Sequence, residues 1–205
     1  VSMSLAGDDW GALELKKEVL DRRMKVLGEE HPETIKAMGN LATTLSVLGF
    51  YQDALELKEK VLALRKKVMG EEHLATLRAM NSLAITLETL GESKRALELK
   101  AEVLEKRRAI LGEGHPQTLS SMNSLAIALE NKGDYKASLE LKTRVLEERI
   151  RLYGEEHPDT LSAKASLAVV LWHLDRQDES LVLEEEVLEK RRKILGNDHL
   201  DTLSA

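Results

Sequence analysis

The stretch GEEHPET, Gly28 to Thr34, places two carboxylates, an imidazole and a proline close together. Residues of these types hold metal ions and exchange protons, so the cluster has the chemistry of a metal or acid–base site. The stretch returns as GEEHLAT from Gly70, GEGHPQT from Gly112, GEEHPDT from Gly154 and GNDHLDT from Gly196, each copy 42 residues after the last. Equivalent side chains on neighbouring packed helices stand at least about 8–10 Å apart. A zinc–nitrogen bond is about 2.0–2.1 Å, so His31 and His73 cannot share one ion. Within a copy the acids are not kept, since Gly114 replaces one and Asn197 and Asp198 replace two. The pattern is that of a turn. Glycine reverses the chain, His and Thr polar groups satisfy free N–H groups at a helix start, and acids suit the positive end of the helix dipole. No metal site is expected.

Arg23, Arg65, Arg107, Arg149 and Arg191 recur with the same period. Such a column could bind anions in a row, or hold the end of each long helix near carbonyls and a turn acid. The second role is expected. No P-loop, G-x-S-x-G, H-E-x-x-H or dinucleotide fingerprint occurs, so no catalytic residue, cofactor or enzymatic activity is expected.

The elements between the turns are helical. Ile35, Met38, Leu41, Ala42, Leu45 and Leu48 step by three and four, which marks one buried helix face. Ala54, Leu57, Val61, Leu64 and Val68 do the same on a second segment. Helix A is therefore expected over about 32–48 and helix B over about 51–69, repeated by translation. Gly49, Gly91 and Gly133 stop helix A, with Asp175 in the fourth place, and Gly28 and Gly70 end the long helices. All three prolines, Pro32, Pro116 and Pro158, follow the histidine, where a first helical turn tolerates them. The expected organisation is one array over 1–205: a partial unit at 1–27, full units at 28–69, 70–111, 112–153 and 154–195, and the start of another at 196–205. Val1 aligns with Thr43 and Ala205 with Ala163, both inside helix A, so a segment of a longer array is expected.

The 205 residues carry a net charge of −6 and 42% hydrophobic side chains, which supports a core and argues against nucleic acid as partner. There are no cysteines, so disulfides and thiolate metal sites are excluded, as suits a cytoplasmic protein. No apolar run is long enough to span a membrane, and VSMSLAGDDW lacks the pattern of a signal peptide.

A small residue after Leu, a glycine between the helices and an alanine column at Ala54 and Ala96 resemble the tetratricopeptide repeat. The 42-residue length, the GNLA and NSLA segments and the turn running from Arg107 to Thr118 are similar to the kinesin-light-chain type. Arrays of this kind also follow the NTPase domain of NB-ARC or STAND proteins, the NLR-like receptors. The resemblance implies an all-α, right-handed α-solenoid of stacked antiparallel helix pairs. It also implies a concave groove lined by the A helices that receives a partner peptide or protein.

On the groove side of helix A the residues differ from unit to unit. Asn40, Arg78, Asn81, Glu88, Asn123, Glu130, Asn131, Trp172 and His173 are the candidate partner-binding residues. An asparagine amide donates and accepts, so Asn81 and Asn123 suit a peptide backbone of any sequence. In kinesin light chains the matching asparagine contacts cargo peptides, although Gly39 and Ala165 break the series here. Glu88 and Glu130 suggest basic residues in a ligand. Lys36, Asn40 and Arg78 resemble part of the two-carboxylate clamp of chaperone-binding relatives. Trp172 suits an interface or packing onto a following unit. The functions compatible with these residues are a non-catalytic interaction scaffold (the sensor region of an NLR-like STAND protein), a kinesin-light-chain-like cargo adaptor, and a self-association module joined end to end.

Overall fold

The computed structural model describes residues 2–203, and side chains from residue 10 onward except that of residue 201. The alignments of Val1 and Ala205 with helix A therefore lie outside the described residues. Every described element is a helix: α1 (Ser2–Leu27), α2 (Pro32–Val47), α3 (Tyr51–Met69), α4 (Leu74–Thr89), α5 (Ser93–Leu111), α6 (Pro116–Asn131), α7 (Tyr135–Tyr153), α8 (Pro158–His173), α9 (Gln177–Leu195) and α10 (Leu200–Leu203). Short and long helices alternate, α2, α4, α6 and α8 being the A helices and α3, α5, α7 and α9 the B helices.

Three-residue turns join A to B, and their chemistry is the same each time. The N–H of Phe50 reaches the carbonyl of Leu45 at 2.9 Å and that of Gly49 reaches Ser46 at 3.2 Å. This double bond pattern closes the helix with one residue at positive φ. Gly49 has φ 85°, and Asp175 takes the equivalent place with φ 59°. The turn from B to A is more demanding. Gly70 caps α3 at φ 88°, ψ 164°, and Gly154 caps α7 at φ 83°, ψ 171°. That region of backbone space is essentially restricted to glycine. The physical difference explains why the B-to-A glycine recurs at every copy while the A-to-B glycine is once an aspartate.

By its contacts the chain divides into two compact units, residues 1–106 and 107–205. In the first, α1 packs on α2, α2 on α3 and α3 on α4. Its core holds Leu13, Ile35, Met38, Leu77, Met80 and Leu87, with Ala42 and Ala84 letting helices approach. In the second, α6, α7, α8 and α9 pack in the same sequential way. Met122, Leu161, Val170 and Val187 are buried there, beside Ala126 and Ala168. Each full burial of such a large apolar side chain contributes about 1.5–3 kcal/mol. Helix pairs that touch only their neighbours in the chain are the arrangement of an α-solenoid.

Candidate functional site

The partners of the GEEHPET residues establish what that stretch does. His31 is the N-cap of α2, its Nδ1 accepting the N–H of Glu33 at 3.2 Å. His73, His115 and His157 accept in the same way from Ala75, Gln117 and Asp159 at 3.1–3.2 Å. The threonines do not cap the following helix: Thr34 and Thr160 Oγ1 are buried with no hydrogen bond among the described residues. Thr76 Oγ1 donates to the carbonyl of Gly70 at 2.8 Å, so it caps the preceding helix rather than the following N–H groups.

The turn acids clasp basic side chains of the B helix that follows and, at Glu71 and Glu113, of the B helix that precedes as well. Glu29 meets Lys60 at 2.5 Å, Glu30 pairs with Lys67, and Glu71 bridges Lys106 at 3.0 Å and Lys66 at 3.2 Å. In the second unit Glu113 pairs with Arg108 at 2.6 Å and with Arg144. Bonds from Lys106 and Lys66 hold the Glu71 carboxyl below its ordinary value.

Four arginines of the repeating column fasten each turn from the other side. Arg23 donates to the carbonyl of Glu33 at 2.8 Å, Arg65 to Ala75 at 2.6 Å, Arg107 to Gln117 at 3.1 Å and Arg149 to Asp159 at 2.6 Å. The carbonyl in each case belongs to the first turn of the following A helix, not to the end of the B helix where a partner was expected.

The candidate groove residues fall into two groups, one in each unit. In the first unit Asn40 and Arg78 line one cavity of about 180 Å³, together with Lys36, Lys58, Arg65 and Ser82. Asn81 stands half-buried on α4 outside that lining. Glu88, expected to face a basic ligand, pairs with Lys100 of the chain itself at 2.6 Å. In the second unit Asn123 lines a cavity of about 220 Å³ with Lys142, Arg149, Asp159, Ser162 and Ser166. Glu130 meets Lys142 at 2.6 Å and accepts the hydroxyl of Ser138. The two glutamates, which suggested basic residues in a ligand, thus have basic partners within the chain.

Asn131 is exposed at the end of α6. His173 stacks on Tyr135 with ring centroids 4.6 Å apart, and Trp172 is 52% exposed. Ile127 and Val169 are also exposed on α6 and α8, so this unit presents apolar side chains on its A helices.

One feature of the groove side went unrecognised from sequence. Lys58, Lys100 and Lys142 are buried, 42 residues apart, and tie B helices to groove residues. Lys58 reaches Thr86 Oγ1 at 2.6 Å and the carbonyl of Ser82 at 3.2 Å, and Lys142 reaches the carbonyl of Ser166 at 3.0 Å. The signal was available, because Lys58 falls three residues before Val61 and four after Ala54, on the apolar face of its helix.

With this geometry established, the tetratricopeptide repeat family profile matches residues 40–109 and 123–193, most of the chain. The chain belongs to the tetratricopeptide repeat family. Among solved structures, this tetratricopeptide array is similar to a protein of Podosopora anserina described as a kinesin light chain with nearly identical TPR-like repeats. Identity is 28%, with 93% of this chain and 90% of that one covered and a TM-score of 0.85. BtubC (BKLC) from P. vanneervenii shares the fold at 21% identity, covering 94% of this chain and 77% of its own, with a TM-score of 0.82. No curated protein matches the chain. The fold is thus an all-α tetratricopeptide solenoid of the kinesin-light-chain type. Such arrays generally serve as non-catalytic scaffolds for other proteins. No helix among the described residues is long and apolar enough to cross a membrane.

Proposed function

We propose that this chain is a non-catalytic scaffold that receives an extended or helical segment of a partner protein against its A helices. One observation carries the reading. The side chains that pack the repeats recur in register, while those exposed on the A helices differ between units and include uncovered apolar groups, Ile127, Val169 and Trp172. A large aromatic left exposed is the kind of residue on which binding energy concentrates. In this reading Asn81 and Asn123 pair with the partner's backbone, Trp172 and Ile127 hold an apolar side chain, and Asn40, Asn131, Arg78 and His173 read polar neighbours. Glu88 and Glu130 act indirectly by keeping Lys100 and Lys142 in place.

The likeness to a protein described as a kinesin light chain supports a cargo-adaptor setting. The sensing region of an NLR-like STAND protein is the other setting in which a 42-residue array of this type fits, and both are cytoplasmic. The test is to select binders from a random peptide display library on the immobilised chain, then measure the selected peptide against variants. Asn123→Ala and Trp172→Ala are expected to weaken binding at least tenfold. Unchanged affinity for both would end the groove reading.

A further inference from the structure

The cavity of the first unit differs in charge from its counterpart in the second, and the cause lies in a few substitutions. Elsewhere the buried lysines have a carboxylate: Lys100 has Glu88, Lys142 has Glu130 and Lys164 has Glu186. At Lys58 the residue aligned with those two glutamates is Ser46, and the ammonium is left with a carbonyl and a hydroxyl. Arg78 stands where the second unit has Ser162, and it makes no hydrogen bond or ion pair among the described residues. Gly39 stands where Asn81 and Asn123 occur, and a Cβ built there would lie 3.8 Å from Arg65 Nη2. The missing side chain leaves that guanidinium edge open to the cavity. Lys36 completes the ring, its nearest carboxylate being Glu33 at 3.8 Å. No acidic residue lines this cavity, whereas Asp159 lines the counterpart.

Of the four cations around about 180 Å³ only Lys36, at 3.8 Å from Glu33, has a carboxylate in reach, which leaves Lys58, Arg65 and Arg78 without an internal counter-charge. Burial pushes Lys58 below its ordinary value, and burial together with the Arg78 charge does the same to Arg65. We propose that this cavity is an oxyanion site that takes a phosphoryl group, carried on a phosphorylated serine or threonine of the partner segment. A phosphoryl group carries about −1.5 to −2 charge at neutral pH and three acceptor oxygens, against one charge on a carboxylate. Arg65 and Arg78 offer planar forks suited to such oxygens, and Lys36 a point charge at the rim. The Asn40 amide and Ser82 hydroxyl supply neutral donors. Delivery on a peptide rests on the groove reading above, but the cavity's affinity for the anion does not.

The experiment separates the two. The full chain is titrated with inorganic phosphate, O-phosphoserine and acetate at constant ionic strength, following the amide signals of Gly39 and Ser82 by NMR. Saturable shifts with phosphate and phosphoserine, and binding at least tenfold weaker with acetate, are expected. Arg78→Ser and Gly39→Asn, which install the residues found at equivalent positions, should each weaken phosphate binding tenfold or more. Their far-UV circular dichroism should stay native, and Trp172→Ala should leave phosphate binding intact. Equal shifts with acetate and phosphate, or phosphate binding indifferent to Arg78→Ser, would overturn the site. Phosphate bound with phosphoserine excluded would overturn the peptide-borne source. Peptides that bind through Trp172 while phosphate does not bind would leave the groove standing without this pocket.

Discussion

Lys164, 5% exposed, holds Glu186 at 2.6 Å in a position where the three preceding units bury Met38, Met80 and Met122. Glu155 at 3.2 Å and Lys190, which contacts both glutamates, complete a four-charge network. The methionine column is therefore interrupted by one charged group, which joins a glutamate–lysine–glutamate trio already present in the first unit as Glu71, Lys106 and Glu102.

A buried ion pair is often no more stabilising than well-packed apolar groups of similar volume. Lys164→Met is expected to raise stability by about 1–2 kcal/mol, because it removes the buried charge and restores the apolar column while the more exposed glutamates both keep a contact with Lys190. Lys164→Ala leaves a void and is expected to lower it. Urea denaturation of the two variants checks both signs.

The same network makes the second unit sensitive to acid. Glu186 is held below its ordinary value of 4.5 by Lys164 and then Lys190. Glu155 is lowered by Lys190 and then Lys164. A carboxylate with a depressed folded-state value stabilises the fold above its unfolded value, and that contribution fades as pH falls through the folded one. Stability should therefore decline from about pH 4.5 downward. Removing the principal partner of Glu186 with Lys164→Met should make the decline shallower. Thermal melts of both proteins between pH 6 and pH 3 show whether the slopes differ.

The helix spans and the role of the turns were legible in the sequence because both rest on periodic local chemistry. Apolar residues spaced by three and four placed α2 and α3, and a histidine before each A helix announced a cap. The groove was legible only in part. Asn40 and Arg78 were singled out by their variation on one face, yet Lys58 and Arg65, which complete their cavity, come from α3. Glu88 and Glu130 read as free charges because their lysines, twelve residues on, lie across a helix turn in a different element. Pairing of that kind is tertiary, and no single-helix pattern contains it.

The histidine cap is open to direct measurement. His73 Nδ1 satisfies one N–H at the start of α4, and the loss of such a cap costs about 1 kcal/mol. His73→Ala should lower stability by about that amount, while His73→Asn should retain most of it, since an asparagine oxygen accepts from the same N–H. Equal losses in the two variants would mean that the ring packs rather than caps.

The two kinds of turn should respond oppositely to exchange between glycine and a side chain. Asp175 holds φ 59°, a conformation aspartate tolerates at some cost and glycine adopts freely. Asp175→Gly is therefore expected to be neutral or to stabilise by roughly 0.5–1 kcal/mol, which the greater flexibility of the unfolded glycine chain partly offsets. Gly154 sits at φ 83°, ψ 171°, where a Cβ is strained although nothing lies within 4 Å of it. Gly154→Ala should thus cost about 1–3 kcal/mol through backbone conformation alone. Because the space around Gly154 is open, a loss of that size cannot come from a steric clash with a neighbour. Measured by chemical denaturation side by side, a stabilised Gly154→Ala or a strongly destabilised Asp175→Gly would contradict the assignment of these two turns.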